Sequence, residues 1–220
     1  MSQLLLDISP DWRPTLDNFV VGSNAELLFG LREALAGHST ERCFYLWGEA
    51  GSGKSHLLHA MVSAAQHAGH TALYAQSSVP EAAEVVAVDD VEICDAAAQI
   101  ALFNLYNEMR EQGGVLLVSG SVAPQHLSLR PDLRTRLGWG LIYQLQGLSE
   151  QEKALALTEH AKAKGFILPP DVAQYLLNHG RRDLPSLLVT LDALDELSLS
   201  LHRAPSVPLL KQVMQSHTTE

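Results

Sequence analysis

Gly48-Glu49-Ala50-Gly51-Ser52-Gly53-Lys54-Ser55 is a complete G-x-x-x-x-G-K-[ST] phosphate loop, and the residues on either side of it decide the fold. Cys43-Phe44-Tyr45-Leu46-Trp47 before it is apolar and aromatic enough for a buried strand. His56-Leu57-Leu58-His59-Ala60-Met61-Val62 after it carries helical apolar spacing. Strand, glycine-rich turn and helix in that order form a phosphate cradle. Glycines let successive backbone N–H groups turn inward, and the helix N terminus adds the positive end of its dipole. Gly48, Ala50, Gly51, Ser52, Gly53 and His56 are the expected cradle residues. Lys54 is read as the charge that reaches the terminal phosphates, and Ser55 as a hydroxyl ligand for Mg²⁺.

Composition narrows the rest. The chain has 220 residues, 46% of them hydrophobic, with mean hydropathy +0.03; this reads as a soluble globular protein of one large domain, or a large and a small one. No apolar run approaches the roughly 20 residues of a membrane span, and the N terminus lacks a secretory pattern, so a cytoplasmic location is expected. Cys43 and Cys94 have no C-x-x-C spacing and read as buried reduced thiols rather than a disulfide or metal pair. The formal charge is −10, without the basic stripe that direct DNA binding requires, so any work on DNA is expected to go through a partner.

Strands alternating with helices predict a parallel sheet covered on both faces. After the first strand and a helix over residues 54–67, the strand segments are Thr71-Ala72-Leu73-Tyr74-Ala75, Val85-Val86-Ala87-Val88, Val115-Leu116-Leu117-Val118 and Leu141-Ile142-Tyr143-Gln144-Leu145. A helix over residues 96–111 stops at Gly113-Gly114. From Ser149 onward only helical patterns remain, over residues 150–164, 170–179, 184–202 and 207–215. Ser149-Glu150-Gln151-Glu152 caps the first of them.

The third strand ends in Asp89-Asp90. A carboxylate at the tip of a strand next to the loop strand can hold Mg²⁺, directly or through water, which is the role expected of Asp89. Asp90 is read as positioning the attacking water or, alternatively, as the cap of the following helix. Ser121, just past the fourth strand, stands where a hydroxyl could sense the terminal phosphate. Arg134 and Arg136 precede a Gly/Trp turn into the last strand. Either could reach a neighbouring subunit's nucleotide, or simply make exposed ion pairs.

These segments resemble the AAA+ superfamily and, within it, the DnaA family of bacterial replication proteins. The resemblance rests on Thr15-Leu16-Asp17-Asn18-Phe19-Val20-Val21-Gly22-Ser23-Asn24, the phosphate loop and its helix, Val88-Asp89-Asp90-Val91, Arg134-Thr135-Arg136-Leu137-Gly138-Trp139-Gly140-Leu141 and Thr190-Leu191-Asp192-Ala193-Leu194-Asp195. It implies an α/β fold: an AAA+ P-loop NTPase core with a five-stranded parallel sheet, then a small all-helical lid. The expected division is a tail at 1–14, a nucleotide-binding domain at 15–147 and a lid at 148–220. By the resemblance, Phe19, Val20, Val21 and Asn24 surround the base of ADP or ATP, Mg²⁺ accompanies it, Arg136 is an arginine finger acting in trans, and Ser121 is the first sensor. His56 and His59 then need no metal, although their spacing alone would allow one.

The expectation narrows to the short regulators of that family, since no helix-turn-helix stretch follows the lid and no long domain precedes Leu16. Gln3, Leu4, Leu6 and Ile8 resemble the Gln-Leu-x-Leu peptide that docks on the sliding clamp (the β subunit of DNA polymerase III). Such a peptide places an amide and aliphatic side chains in a preformed groove. The implied partners are DnaA and the clamp, with no sequence-specific DNA contact, no membrane contact and the oligomeric state open. The implied function is inhibition of replication initiation by stimulating hydrolysis of DnaA-bound ATP, at the nucleoid through the clamp. An independent ATPase of loader type and a non-hydrolysing adaptor are the alternatives.

Two departures bear on the protein's own turnover. In Arg182-Asp183-Leu184-Pro185-Ser186-Leu187, Pro185 stands where the sequence pattern places a sensing arginine, and Arg181 and Arg182, read as helical, would face elsewhere. Weak intrinsic ATPase follows. Residues 76–84 are also too few for the usual crossover helix between the second and third strands, which would leave that flank of the sheet thinly covered.

Overall fold

A computed structural model of the chain describes residues 13–181 and 183–216. The elements in chain order are α1 (Ala25–Leu35), β1 (Cys43–Trp47), α2 (Lys54–His67), β2 (Ala72–Gln76), β3 (Val85–Asp89), α3 (Ala96–Gln112), β4 (Val115–Gly120), α4 (Pro131–Leu137), β5 (Leu141–Gln144), α5 (Glu150–Ala163), α6 (Pro170–His179), α7 (Leu184–Leu201) and α8 (Val207–Ser216). The five strands form one sheet in the order β2-β3-β4-β1-β5, and every neighbouring pair is parallel.

Side-chain alternation along the strands builds two cores. Phe44, Leu46, Ala87 and Leu117 face α1 and α2, joined by Leu31, Leu57 and Met61. Tyr45, Val86, Val88, Leu116 and Val118 face α3 and α4, joined by Leu102, Met109 and Leu133. Covered on both faces, β3 and β4 can be apolar along nearly their whole length. A third core, centred on Leu157, Val172, Leu176, Leu187, Leu191 and Leu210, belongs to the four helices after β5.

Local signals set the ends of the elements. Ser149 and Glu152 form a reciprocal capping box at the start of α5. Asp95 caps α3 by accepting from Ala98 N, and Gly113 ends it at φ +73°. Two helices go beyond the sequence reading. α1 buries Leu27, Leu28, Leu31 and Ala34 on one stripe despite Gly30 in its middle. α4 begins at Pro131, where a fixed φ and a missing N–H do no harm.

The β2–β3 link contains no helix at all. Residues 77–84 return without regular secondary structure, and Val79, Ala82 and Ala83 pack onto the α3 side of the sheet. One placement differs from expectation: β4 lies between β1 and β3, so Asp89 is two strands from the loop strand, not next to it. Among the described residues, no helix is long and apolar enough to cross a membrane.

Candidate nucleotide-binding site

The phosphate loop runs from the end of β1 into α2. A side chain at Gly48 would place its Cβ 2.6 Å from the Leu145 carbonyl oxygen, and one at Gly53, where φ is +103°, would come 2.9 Å from the Phe19 ring. Both positions therefore need glycine. No side chain caps α2 at Gly53, and this is the helix end that stabilises an anion. Lys54 Nζ donates to the carbonyl oxygens of Gly48 (2.8 Å) and Glu49 (3.0 Å), holding the ammonium over the loop. The Ser52 hydroxyl is buried without a hydrogen-bond partner among the described residues. A buried orphan hydroxyl is costly, and in this cradle a phosphate oxygen is the group that would satisfy it. Ser55 lies exposed in the first turn of α2.

Beside the loop opens a cleft whose walls include Phe19, Val20, His56, Leu148, Leu184 and Pro185. Apolar walls with a few polar groups suit a planar base. Val20 also packs on the lid core and Val21 on the sheet core, so this segment joins the two. Asn24 lines the cleft, but its amide is already used. Nδ2 donates to Gln146 O (3.0 Å), and Oδ1 accepts from Gln146 N (2.9 Å). It is a clamp between the start of α1 and the chain leaving β5, at the wall of the cleft.

The two histidines serve packing. His56 lies near the Phe19 ring and its Nε2 is 3.0 Å from Thr15 O. Burial pushes its pKa below the usual value, and the Thr15 contact offsets this only in part. The His59 ring stacks on Tyr74 at 3.8 Å.

The carboxylates at the end of β3 depart most from expectation. Asp89 is fully buried. Its Oδ1 accepts from the Ser119 hydroxyl and from Asp90 N, and its Oδ2 accepts from the Tyr74 hydroxyl at 2.9 Å. Burial, then the Asp89 charge and hydrogen bond, push the Tyr74 phenol well above its usual range. Mg²⁺ takes oxygen ligands in a near-octahedral shell, and both oxygens of Asp89 are buried and accept hydrogen bonds, two on Oδ1 and one on Oδ2. Ser55 offers an exposed hydroxyl; Asp89 as placed is buried and accepts three hydrogen bonds, which speaks against direct ligation and leaves the expected contact through water.

Asp90 sits at φ +52° and heads a short 3₁₀ turn without capping it; its Oδ2 accepts from Gln76 Nε2 at 2.7 Å. The capping alternative therefore does not hold. Ser121 is not brought into the site: its side chain is exposed and its backbone N donates to Glu92. Ser119 is the β4 hydroxyl that meets Asp89, and its place inside the strand rather than after it is what the sequence reading missed.

The lid closes the cleft differently from expectation as well. Pro185 occupies the first turn of α7 and lines the cleft with Leu184. Asp183 is the N-cap, accepting from Ser186 N, and its Cβ lies 3.7 Å from where a Cβ on Gly51 would be. Burial pushes the Asp183 carboxyl up, but the Ser186 hydrogen bonds and the charge of Arg181 outweigh it and hold the pKa below the usual value. Arg181 therefore precedes the helix instead of riding on it, which removes the objection that it must face elsewhere. Arg182 lies outside the described residues.

On the opposite side of the sheet, Arg136 in α4 places its guanidinium 4.1 Å from the Trp139 ring centroid and 5.4 Å from Phe103. Trp139 is half exposed and also meets Arg110. Arg134 borders a separate open groove with Trp47, Pro124 and Ile142. Neither arginine makes a side-chain ion pair among the described residues, so the surface-pair reading does not hold within them. Gln3, Leu4, Leu6 and Ile8 lie outside the described residues.

Comparison with known proteins agrees with this fold. A family model described as the lid domain of Hda matches residues 150–214, and one described as the bacterial DnaA ATPase domain matches residues 11–79. Domain III of the replication initiation protein DnaA from Thermotoga maritima is similar over 96% of this chain and 98% of its own, at 19% identity and TM-score 0.73. AMPPCP-bound DnaA from Aquifex aeolicus is similar over 83% and 65%, at 21% identity and TM-score 0.71. A RuvB variant from Thermotoga maritima follows at 92% and 72%, 16% identity and TM-score 0.65. At these identities the likeness is one of fold. The chain spans 65% of the length of a replication initiation factor it resembles.

Proposed function

Because this chain is an Hda-like, DnaA-related AAA+ protein, we propose that it restrains replication initiation by stimulating hydrolysis of ATP held by DnaA. In this reading it binds an adenine nucleotide between the phosphate loop and the Phe19–Val20 segment, and presents Arg136 to the nucleotide of its partner. The observation that carries the reading is the setting of Arg136. Its guanidinium rests on Trp139 and Phe103 rather than on a carboxylate, so its charge is oriented without being neutralised. A finger arginine of this kind contributes about 10³–10⁵ in rate to phosphoryl transfer. Gln3, Leu4, Leu6 and Ile8 supply clamp docking, which brings the protein to newly replicated DNA in the cytoplasm. The nucleotide has its own support in the uncapped α2 N terminus, the orphan Ser52 hydroxyl and Lys54.

The test is hydrolysis of DnaA-bound ATP in the presence of clamp loaded on DNA. Wild-type protein is expected to accelerate it, and Arg136→Ala to abolish the acceleration with nucleotide affinity and clamp retention kept. Full stimulation by the variant would remove Arg136 from this role and leave Arg134 as the candidate.

A second reading, an ATPase with its own turnover, gains from the placement of Arg181. Since Asp183 rather than an earlier residue caps α7, Pro185 no longer argues that the lid lacks a cation near the phosphates. ATP turnover by the isolated protein, lost in Arg181→Ala, would favour it.

A further inference from the structure

We propose that His56 is a positioning residue: by pinning Thr15 it sets the Phe19–Val20 wall of the cleft against the phosphate loop. Its effect falls on the nucleoside half of an adenine nucleotide and not on the phosphates. The inference rests on the nucleotide reading above. His56 follows Ser55 in the first turn of α2, and it lines the cleft together with Asn18, Phe19 and Val20. Its Nε2 lies 3.0 Å from the Thr15 carbonyl oxygen. A carbonyl only accepts, so this contact assigns a ring proton to Nε2.

The segment beyond Thr15 is built to transmit the contact. Thr15 and Asn18 close a turn on each other: Thr15 N donates to Asn18 Oδ1 at 2.9 Å, and Asn18 N donates to Thr15 Oγ1 at 3.1 Å. Asn18 Nδ2 also donates to Arg13 O at 3.0 Å. The turn is therefore one unit, and Phe19 follows it directly. The Phe19 ring lies 5.5 Å from the His56 ring and reaches to 2.9 Å from where a Cβ on Gly53 would be. A second tie comes from α1, where Arg32 donates to Leu16 O at 3.3 Å and to Asp17 at 2.8 Å. The side chains of that ion pair are 51% and 93% exposed, so water and salt weaken it. His56 instead ties the turn directly to the helix of the phosphate loop. Without this tie the wall is in place in only a fraction of the molecules, and apparent affinity falls by that fraction.

Three substitutions separate the donor from the bulk of the ring. In His56→Gln an amide nitrogen stands as many bonds from Cβ as Nε2 does, in His56→Asn it is one bond short, and His56→Leu has no donor. The experiment measures displacement of a fluorescent ADP analogue from the full-length protein by ADP and by inorganic pyrophosphate. It is run at pH 8, where burial keeps the wild-type ring neutral, so that no substitution removes a charge. His56→Leu and His56→Asn are expected to bind ADP about fivefold more weakly, the scale of one neutral hydrogen bond, and His56→Gln within about twofold of wild type. Pyrophosphate, which has no nucleoside, is expected to bind all four proteins equally within about twofold; general loss of structure would weaken it too. His56→Asn carries the test if His56→Leu does not fold. ADP affinity unchanged in His56→Leu and His56→Asn would overturn the inference, as would a His56→Gln loss as large as theirs. Equal losses for ADP and pyrophosphate would place His56 on the phosphate side and overturn it as well. Each of these outcomes leaves the nucleotide reading intact, whereas a wild type that binds no ADP would overturn both.

Discussion

Asn24→Ala separates a structural clamp from a ligand contact. The Asn24 amide makes two hydrogen bonds with the backbone of Gln146, at 3.0 and 2.9 Å, and the residue is 5% exposed. A neutral hydrogen bond contributes about 0.5–1.5 kcal/mol net, so losing both costs about 1–3 kcal/mol. Gln146 is exposed, which lets water take over its N–H and C=O and keeps the cost within that range. No capping loss adds to it, because the Asn24 side chain makes no cap hydrogen bond to α1. Urea denaturation should therefore show a loss of about 1–3 kcal/mol, while calorimetry shows ADP affinity reduced by no more than about threefold, or 0.7 kcal/mol. Unchanged stability together with a collapse of ADP affinity would refute the clamp and return Asn24 to the base pocket.

Three further outcomes follow. Lys54→Ala removes a charge-assisted phosphate contact and should weaken ADP binding at least about tenfold, or 1.4 kcal/mol, by calorimetry; unchanged affinity would take the phosphate loop out of nucleotide binding. Leu4→Ala with Leu6→Ala removes two aliphatic anchors worth about 1.5–3 kcal/mol each when buried, and should abolish retention on DNA-loaded clamp in a pull-down; equal retention would make the tail incidental to docking. His56 is held neutral by burial, its pKa lowered from 6.5, so the unfolded chain takes up the proton first as pH falls. Its stability contribution is complete above pH 6.5 and declines below it, by at most about 1.4 kcal/mol per pH unit, until the folded value is passed. In His56→Gln the difference in urea stability between pH 5.5 and 7.5 should shrink, and an unchanged difference would place the titration elsewhere.

The sequence carries the sheet because each strand is a short, mostly apolar run, and β1, β3, β4 and β5 have a glycine or an acidic residue at one end. What it hides depends on tertiary geometry. Gly30 interrupts the propensity of α1, yet four buried side chains on one stripe outweigh it. Ser119 and Ser121 look equivalent along the chain and would share a face of an extended strand; β4 ends at Gly120, so only Ser119 is held in the sheet against Asp89. Asp89 reads as a metal ligand because its two donors from other elements, Tyr74 and Ser119, are 15 and 30 residues away. Arg181 reads as helical until the Asp183 cap fixes where α7 begins.

The two halves of the proposed mechanism stand on opposite faces of one sheet, which makes them separable. The cleft draws on α1, α2 and the segment that joins the sheet core to the lid, since Val20 packs on one and Val21 on the other. A ligand there touches both domains and stabilises their mutual arrangement in proportion to its saturation, by about 2.7 kcal/mol at a hundred times its Kd. Arg136, Trp139 and Phe103 belong instead to α3, α4 and the turn before β5, over the core built on Tyr45 and Leu116. Among the described residues, none of the lid contributes to that stack. Changes that loosen the lid should therefore act on nucleotide affinity and leave the arginine's setting untouched, and changes in the two places should add. If the proposed nucleotide binds on one face, it would stabilise the fold there, while Arg136, stacked on rings on the other face, would remain available to act on a partner.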